Sequence, residues 1–541
     1  MFANMLPPDS GALNIVNYLY FYNGGGVAAG DVDGDGLVDL YFTSNVGKNR
    51  LYRNLGKFRF EDVTERAGVA DSVGWKSGVT MADVDGDGHL DIYVSGVDDE
   101  MNGRNALFIN SGVGTFRDRT AEFGLDFSGY GTQVAFFDYD GDGDLDMYLL
   151  NSSTLQRVAR ARSTSRAARD TAAGDRLYRN DRGHFLDVSE QAGIYGGVEG
   201  FGLGIVVSDF NLDGCPDIYI ANDFPENDFL YLNNCNGTFR EVIAEATGHT
   251  SRFSMGVDAA DFNNDGRPDI AVLDMLPDSE PILRTAASAE TYQLYAAKLA
   301  AGYHPQYVRN TLQLNRGVVG GKLRFSEIGQ LAGIAATDWS WAPLFADFDN
   351  DGWKDLFITN GIYRRPNDLD YIASLDSGGP PRLDRMPSVP VAKYLFRNEG
   401  GLTFANWAGD WGLGDKGFSN GAAYADLDND GKLDLVVNNE NAPASIYRNL
   451  GASRHFLRIV LKGSGANTGG IGARVMVTTQ GRTQLVEQNP TRGFQSSVDP
   501  VLHVGLGIDS MVDSLTVTWP DRRQQTLVGI RADTTITATF E

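Results

Sequence analysis

Seven times the chain returns to an acidic nine-residue motif: DVDGDGLVD (31–39), DVDGDGHLD (83–91), DYDGDGDLD (138–146), DFNLDGCPD (209–217), DFNNDGRPD (261–269), DFDNDGWKD (347–355) and DLDNDGKLD (426–434). Successive copies start 52, 55, 71, 52, 86 and 79 residues apart, so a unit of about 52 carries insertions in some copies. Self-similarity at such a period constrains the fold more than composition does, because one unit cannot bury its apolar face alone and must stack on the next.

Around each motif the same elements recur. A small-residue run such as SGVTMA or GAAYA precedes it, and an alternating run such as LVDLYFTS or LDIYVSG follows. LYxN-type segments come next: LYRNLG (51–56), LFINSG (107–112), LYRNDRG (177–183), LYLNNCNG (230–237), LFRNEGG (395–401) and IYRNLG (446–451). FEDVTERAGV (60–69), FLDVSEQAGI (185–194) and FSEIGQLAGI (325–334) close their units. Each unit reads as four short antiparallel strands, A to D. The expected fold is all-β: a seven-bladed β-propeller within residues 1–450, then a small β-rich C-terminal domain over 451–541, with insertions at about 151–175, 279–310 and 362–390. Separate calcium-binding repeats would not need so many strands per unit, and a β-helix coil is too short for the period. Blade seven runs from IYRNLG directly into the C-terminal domain, so its fourth strand is expected from the N-terminus.

The motif D-x-D-x-D-G-x-x-D places carboxylates at positions 1, 3, 5 and 9, like an EF-hand loop cut short, and an oxygen-only set of this kind suits Ca²⁺ better than Mg²⁺. The candidate ligands are Asp31, Asp33, Asp35 and Asp39 with the Leu37 carbonyl, and Asp83, Asp85, Asp87 and Asp91 with that of His89. Asp138, Asp140, Asp142 and Asp146 follow with Asp144, then Asp209, Asn211, Asp213 and Asp217 with Cys215. The last three sets are Asp261, Asn263, Asp265 and Asp269 with Arg267; Asp347, Asp349, Asp351 and Asp355 with Trp353; and Asp426, Asp428, Asp430 and Asp434 with Lys432. Up to seven structural Ca²⁺ ions are expected, the fourth and fifth more weakly held because Asn211 and Asn263 each remove a charge. A single acidic turn would as readily be a solvated surface feature; seven in register favour metal.

The formal net charge of −25 argues against nucleic acid or an anionic membrane as partner. No run approaches the roughly 18 apolar residues of a membrane span, and MFANMLPPDSG has neither the basic nor the apolar region of an export signal. The two cysteines, Cys215 and Cys235, would face each other across the open end of a hairpin around Pro225. A disulfide and two free thiols are both open.

The motif xxGxxxxDxDxDGxxDL followed by LYxNxGxF resembles the FG-GAP/VCBS repeat, the propeller unit of integrin α-chains and of many secreted bacterial proteins. After residue 451, LRIVLKGSGANTGGIGARVMVTTQG and HVGLGIDSMVDSLTVTWPD resemble the ASPIC/UnbV domain, through GIGARV (470–475), HVGLG (503–507) and VTWPD (517–521). QNPTRGFQSSVDP (488–500) departs from the glycine-rich turn usual there. LNIVNYLYFYNGGGVAAGD, AGIYGGVEGFGLGI, ATDWSWAPLFADFDNDG and TNGIYRR resemble a subgroup of cartilage acidic protein-like secreted bacterial proteins of the Bacteroidota type. The resemblance implies a secreted or surface-associated protein. Members usually carry an export signal and an extra strand before the LNI segment, so a leader and part of one outer strand are expected to be missing.

Alternating strands put the acidic A–B loops and the C–D turns on one face and the B–C and D–A connections on the other. The insertions at 155–175, 279–310 and 362–388 all follow B strands, so they should gather opposite the calcium loops, where function is expected. An aromatic residue stands eight positions before six of the motifs, at Trp75, Tyr130, Phe201, Phe253, Trp339 and Phe418. Such a ring could hold a sugar, though inter-blade packing explains it better. The candidate ligand-binding residues are Trp339, Trp341, Asp338, Tyr307, Arg309 and Arg364. No nucleophile–base pair or HExxH is recognisable. The expected function is a calcium-stabilised extracellular or cell-surface binding or adhesion protein recognising a glycan or protein. Alternatives are an enzyme of polysaccharide-lyase or cyclase type using Tyr307, Arg309, His304, Asp338 and Arg364, or a subunit of a surface complex.

Overall fold

In a computed structural model, described for every residue except 1, 8–12, 99–100, 161–165, 167, 288–289, 376–381 and 541, strands dominate and helices are short. Each acidic motif joins the first two strands of one antiparallel sheet. Seven such sheets follow one another, and their innermost strands, Val27–Gly30, Trp75–Ala82, Gly131–Phe137, Gly202–Ser208, Val257–Ala260, Ser340–Ala346 and Ser419–Ala425, touch in chain order and close last to first. The chain is therefore an all-β propeller carrying a further β unit.

Small residues let the inner strands crowd the axis. A Cβ on Gly256 would lie 1.9 Å from the Trp341 carbonyl of the next sheet, so only glycine allows that approach. The FEDVTERAGV-type segments end in one-turn helices such as Thr64–Ala67, closed by a left-handed glycine, Gly68 at φ 82°.

Among the described residues five of these sheets have four strands, the first has four of its own joined at the inner edge by the short strands Thr491–Arg492 and Ser496–Ser497, and the seventh has three, ending at Ser445–Tyr447. Residues 2–7 do not take the expected place as fourth strand: Ala3 bridges Pro443 and Asn4 bridges Glu440, on the connection between the sheet's second and third strands. Phe2 is buried there in a stack on Phe42 with ring centres 4.9 Å apart.

The C-terminal unit begins at His455 and packs a three-stranded sheet on a four-stranded one around Leu457, Val475, Val504, Leu515 and Trp519. Its segment 488–500 leaves this core and enters the propeller axis. Val257 donates to the Gly493 carbonyl at 3.1 Å, Val79 to that of Gln495 at 3.0 Å and Val27 to the Ser496 hydroxyl at 3.1 Å. Thr491 Oγ1 donates to the Val134 carbonyl at 3.2 Å, Asn489 to that of Val207 at 2.6 Å, and Phe494 lies fully buried with its ring centre 5.0 Å from that of Trp341. One short segment thus ties six sheets at their inner strands, with the buried ion pair Arg492–Asp258 at 2.9 Å beside it.

Cys215 and Cys235 form a disulfide. The hairpin register differs by one from the expected one: Ile218 pairs with Tyr231, which sets residue 234 opposite 215. A left-handed Cys235, at φ 54°, brings its sulfur back to Cys215. Closing a loop of this separation, 20 residues, is worth about 3 kcal/mol in the chain-entropy account. We expect Cys215→Ala to lower stability by about that amount in denaturant titration, and an unchanged midpoint would show that the bridge does not form.

Candidate metal centres and the covered propeller face

The motif aspartates do different work at each position. At position 1, Asp31 accepts the Gly34 and Gly36 amides, one on each oxygen, both at 2.8 Å. The position-5 carboxylate accepts the position-7 amide, as Leu37 to Asp35 at 3.0 Å and Lys432 to Asp430 at 3.1 Å. At position 9, buried Asp39 accepts the Val32 amide at 3.1 Å and the Asn54 amide at 2.8 Å. The Asn54 side chain donates to the Val38 carbonyl and, across the blade boundary, to that of Leu427. The corresponding asparagines Asn110, Asn233, Asn315, Asn398 and Asn449 staple their own acidic loops to a neighbouring blade in the same way, while Asn180 donates to its own loop at the Leu145 carbonyl, a role the spacing alone did not reveal.

Position 3 differs. Oδ1 of Asp33, Asp85, Asp140 and Asp428 is buried with no hydrogen-bond partner, in loops one, two, three and seven. A buried anionic oxygen without a partner is costly. In loops one to three, the position-1, -3 and -9 carboxylates offer oxygens within 4.8 Å of one another: Asp31, Asp33 and Asp39; Asp83, Asp85 and Asp91; Asp138, Asp140 and Asp146. Burial pushes Asp39 up to about 7, Asp91 to about 8 and Asp146 to about 9, while burial and the neighbouring carboxylates raise Asp33, Asp85 and Asp140. The donor set, all hard oxygens around an unpartnered one, fits a divalent cation.

Protein cations reach these loops and the others alike: Arg53 pairs with Asp33 Oδ2 at 2.6 Å and with Asp35 at 2.9 Å in loop one, and Arg448 with Asp428 Oδ2 at 2.7 Å in loop seven, each leaving the position-3 Oδ1 without a partner. Asn211 donates to Asp213 at 2.9 Å and Asn263 to Asp265 at 3.2 Å, and Arg474 pairs with Asp209 at 2.8 Å. In loop six, Asp347, Asp349 and Asp351 cluster, but Arg454 sits on Asp349 Oδ1 at 2.8 Å and Arg397 bridges Asp349 and Asp351 at 2.9 and 2.6 Å. Arg458 also pairs with Asp426 at 3.2 Å. Arg454, Arg458 and Arg474 come from the chain beyond residue 451, so this end of the protein covers the acidic face and lends it positive charge. The sequence did not expose that role, because Arg474 is 265 residues from Asp209.

On the opposite face the axis is filled. Residues 18–22 lie against the aromatic ring: Tyr18 and Phe21 each place a ring centre 5.6 Å from that of Trp75, and Tyr20 packs on Phe201 at 6.4 Å. Trp75, Tyr130 and Phe201 are buried and serve as packing, whereas Phe253, Trp339 and Phe418 are half-buried. Two candidate ligand residues are corrected. Trp341 is buried, its indole donating to the Gly361 carbonyl at 2.8 Å, and Asp338 is buried in a bidentate pair with Arg365 at 2.9 and 2.7 Å. Trp339 is half-buried beside Trp341, and Arg364 donates to the Met386 carbonyl at 3.1 Å.

Tyr307 and Arg309 do come together with other groups. Tyr307 is 42% exposed, lies near-parallel to Tyr295 with ring centres 6.2 Å apart, and meets His249 edge-on at 4.8 Å. Arg309 lies 2.9 Å from His249 Nε2 and 3.3 Å from Glu327. His304 faces Thr247 at 3.1 Å, and burial lowers it to about 4, which leaves it neutral. The helix Tyr292–Ala300 exposes Tyr292 and Leu294 nearby. The insertions of blades five and six bridge at Ala286 and Asp368; part of the basic stretch 155–175 lies outside the described residues.

The family models for the FG-GAP-like repeat match residues 31–94, 96–149 and 209–272, and that for ASPIC and UnbV matches residues 463–540. Cartilage acidic protein 1 of Mus musculus is 27% identical over 554 residues, spanning 96% of this chain and 73% of that protein. The Homo sapiens protein of that name is also 27% identical, over 560 residues and 96% and 71% of the two chains. A solved lectin of Agrocybe aegerita is 15% identical, at a TM-score of 0.37 over 71% of this chain and 79% of that one. The chain thus joins FG-GAP-like repeats in its propeller to a C-terminal ASPIC and UnbV domain, and over most of its length it is similar to cartilage acidic protein 1.

Proposed function

We propose that this protein is a calcium-stabilised extracellular binding protein that recognises a glycan or protein partner on the propeller face opposite the acidic loops. The observation that carries this reading is the cover on the other face: the C-terminal unit occupies the acidic side and the axis, which leaves the insertions as the raised, accessible surface. The aromatic group of Tyr292, Tyr295 and Tyr307 on those insertions has the rigid, amphipathic character of binding anchors. The disulfide suits an oxidising compartment, and no helix among the described residues is long and apolar enough to cross a membrane. Asp31, Asp33 and Asp39, with their counterparts in loops two and three and Asp428 in loop seven, would hold Ca²⁺, which supplies charge neutralisation between strands.

Glycan-array and surface-protein screens should yield a partner whose affinity falls about tenfold or more in Tyr307→Ala and in Tyr292→Ala, with the melting temperature unchanged. Loss of binding on altering the C-terminal unit's outer surface, with both tyrosine variants unaffected, would place recognition elsewhere.

A further inference from the structure

The chain's two cysteines bridge where the propeller meets the C-terminal unit, on the wall of a cavity of about 310 Å³. Cys215 belongs to the acidic motif of blade four, and Cys235 stands in that blade's C–D turn. Val207 and Pro216 line the cavity from the propeller side, and Ile471, Trp519 and Arg522 line it from the C-terminal unit. Its size is at the low end of small-molecule sites. Cys215 is buried, whereas Cys235 is exposed.

Arg522 lies across this bridge. Its guanidinium Nη2 is 3.0 Å from the Cys215 sulfur and 3.3 Å from the Cys235 sulfur. Among the described residues it pairs with no carboxylate, unlike Arg523, which takes Asp521 at 2.6 Å. Two features hold it there. In the turn after Trp519 the Arg522 amide donates to the Trp519 carbonyl at 2.8 Å, and Arg522 stands at φ 71°, a left-handed conformation that a long side chain rarely adopts. Opposite, Gly214 leaves room, since a Cβ there would lie 2.7 Å from Arg522 Nε. Backbone strain of this kind gathers where a side chain is held for a task.

The surroundings treat the two sulfurs differently. A guanidinium favours negative charge on a sulfur beside it, and a carboxylate opposes it. Cys215 has the shorter contact with Arg522, whereas Cys235 has an Asp213 carboxylate oxygen 3.8 Å away. Thiol–disulfide exchange runs fastest when the attacked sulfur is accessible and the departing one carries its charge easily. We propose that Cys215–Cys235 is an exchange site for a small thiol. The incoming thiolate attacks the exposed Cys235 sulfur and forms a new S–S bond to it. The Cys215–Cys235 bond breaks, and its electron pair leaves on Cys215 as a thiolate that Arg522 holds. The product is a mixed disulfide at Cys235, and return attack by the Cys215 thiolate restores the bridge and expels the small thiol.

The test uses the oxidised whole chain and glutathione as the small thiol, with a quench of excess iodoacetamide to trap the released sulfur and peptide mapping to locate both groups. Glutathione should be found on Cys235 and the trapped thiol on Cys215. Arg522→Gln should slow adduct formation at least about tenfold, whereas Arg522→Lys, which keeps the charge, should keep most of the rate. The melting temperature of each oxidised variant checks its fold. Glutathione on Cys215 with Cys235 trapped would overturn the proposal, as would equal rates in all three chains. A folded chain that forms no adduct under conditions in which the urea-unfolded chain does would overturn it too.

Discussion

Chelation should lower the melting temperature by about 10 °C or more. Four loops leave the position-3 oxygen unpartnered, at Asp33, Asp85, Asp140 and Asp428. A site held at one hundred times its Kd contributes about 2.7 kcal/mol, so four give about 11 kcal/mol. At about 2.1 cal/mol/K per residue, the unfolding entropy of a propeller this size converts that to about 10 °C. Metal analysis of the dialysed protein should return nearer four tightly held ions than seven, since loops four and five use an asparagine amide and loop six already carries Arg454. A melting curve indifferent to chelator would remove the calcium reading altogether.

The chelated protein should also respond to pH in the direction opposite to a salt-bridged one. Burial holds Asp39 and Asp434 at about 7 and Asp91 and Asp347 at about 8, above the unfolded value of 3.8. Between those values the folded state binds the extra protons, so the stability they contribute is full below about 4 and is lost as the pH rises through 7 to 8. Without calcium the melting temperature should therefore fall from pH 6 to pH 8, and calcium should flatten that slope because it replaces the proton. Differential scanning fluorimetry at both pH values, with and without chelator, checks the sign.

The acidic period carried the blades because each motif must join two strands of one sheet, and the structure keeps that grammar down to the left-handed glycine after three of the helical turns, Gly68, Gly193 and Gly333, with extended Thr247 the exception. The seventh blade escaped it. Residues 2–4 lie instead along the connection at 440–443, where Phe2 stacks on Phe42, a contact between distant residues that no local pattern shows. Asp338 and Trp341 looked like ligands in TDWSW because a short motif cannot show what lies across the fold: Arg365 for one, the Gly361 carbonyl and Phe494 for the other. The role of QNPTRGFQSSVDP was hidden for the same reason. Its polar residues look like a surface loop until each meets a different inner strand.

That segment makes the second large effect. Arg492→Ala should destabilise the protein by about 3–5 kcal/mol, because it leaves Asp258 buried and charged with no counter-ion. Phe494→Ala should cost a similar about 3–5 kcal/mol through the lost contact with Trp341 and the cavity left on the axis. The form of the transition is more telling than its midpoint. A C-terminal unit tied to six blades through one continuous segment cannot unfold before the propeller, so calorimetry of the unaltered chain should show one cooperative transition. Either substitution should split it in two, and Arg492→Met with Asp258→Leu should restore much of the loss, since an apolar pair of similar volume replaces the charges. If Arg492→Ala shifts stability by less than about 1 kcal/mol and leaves one transition, the axial segment is a surface contact and not the bolt that joins the two units.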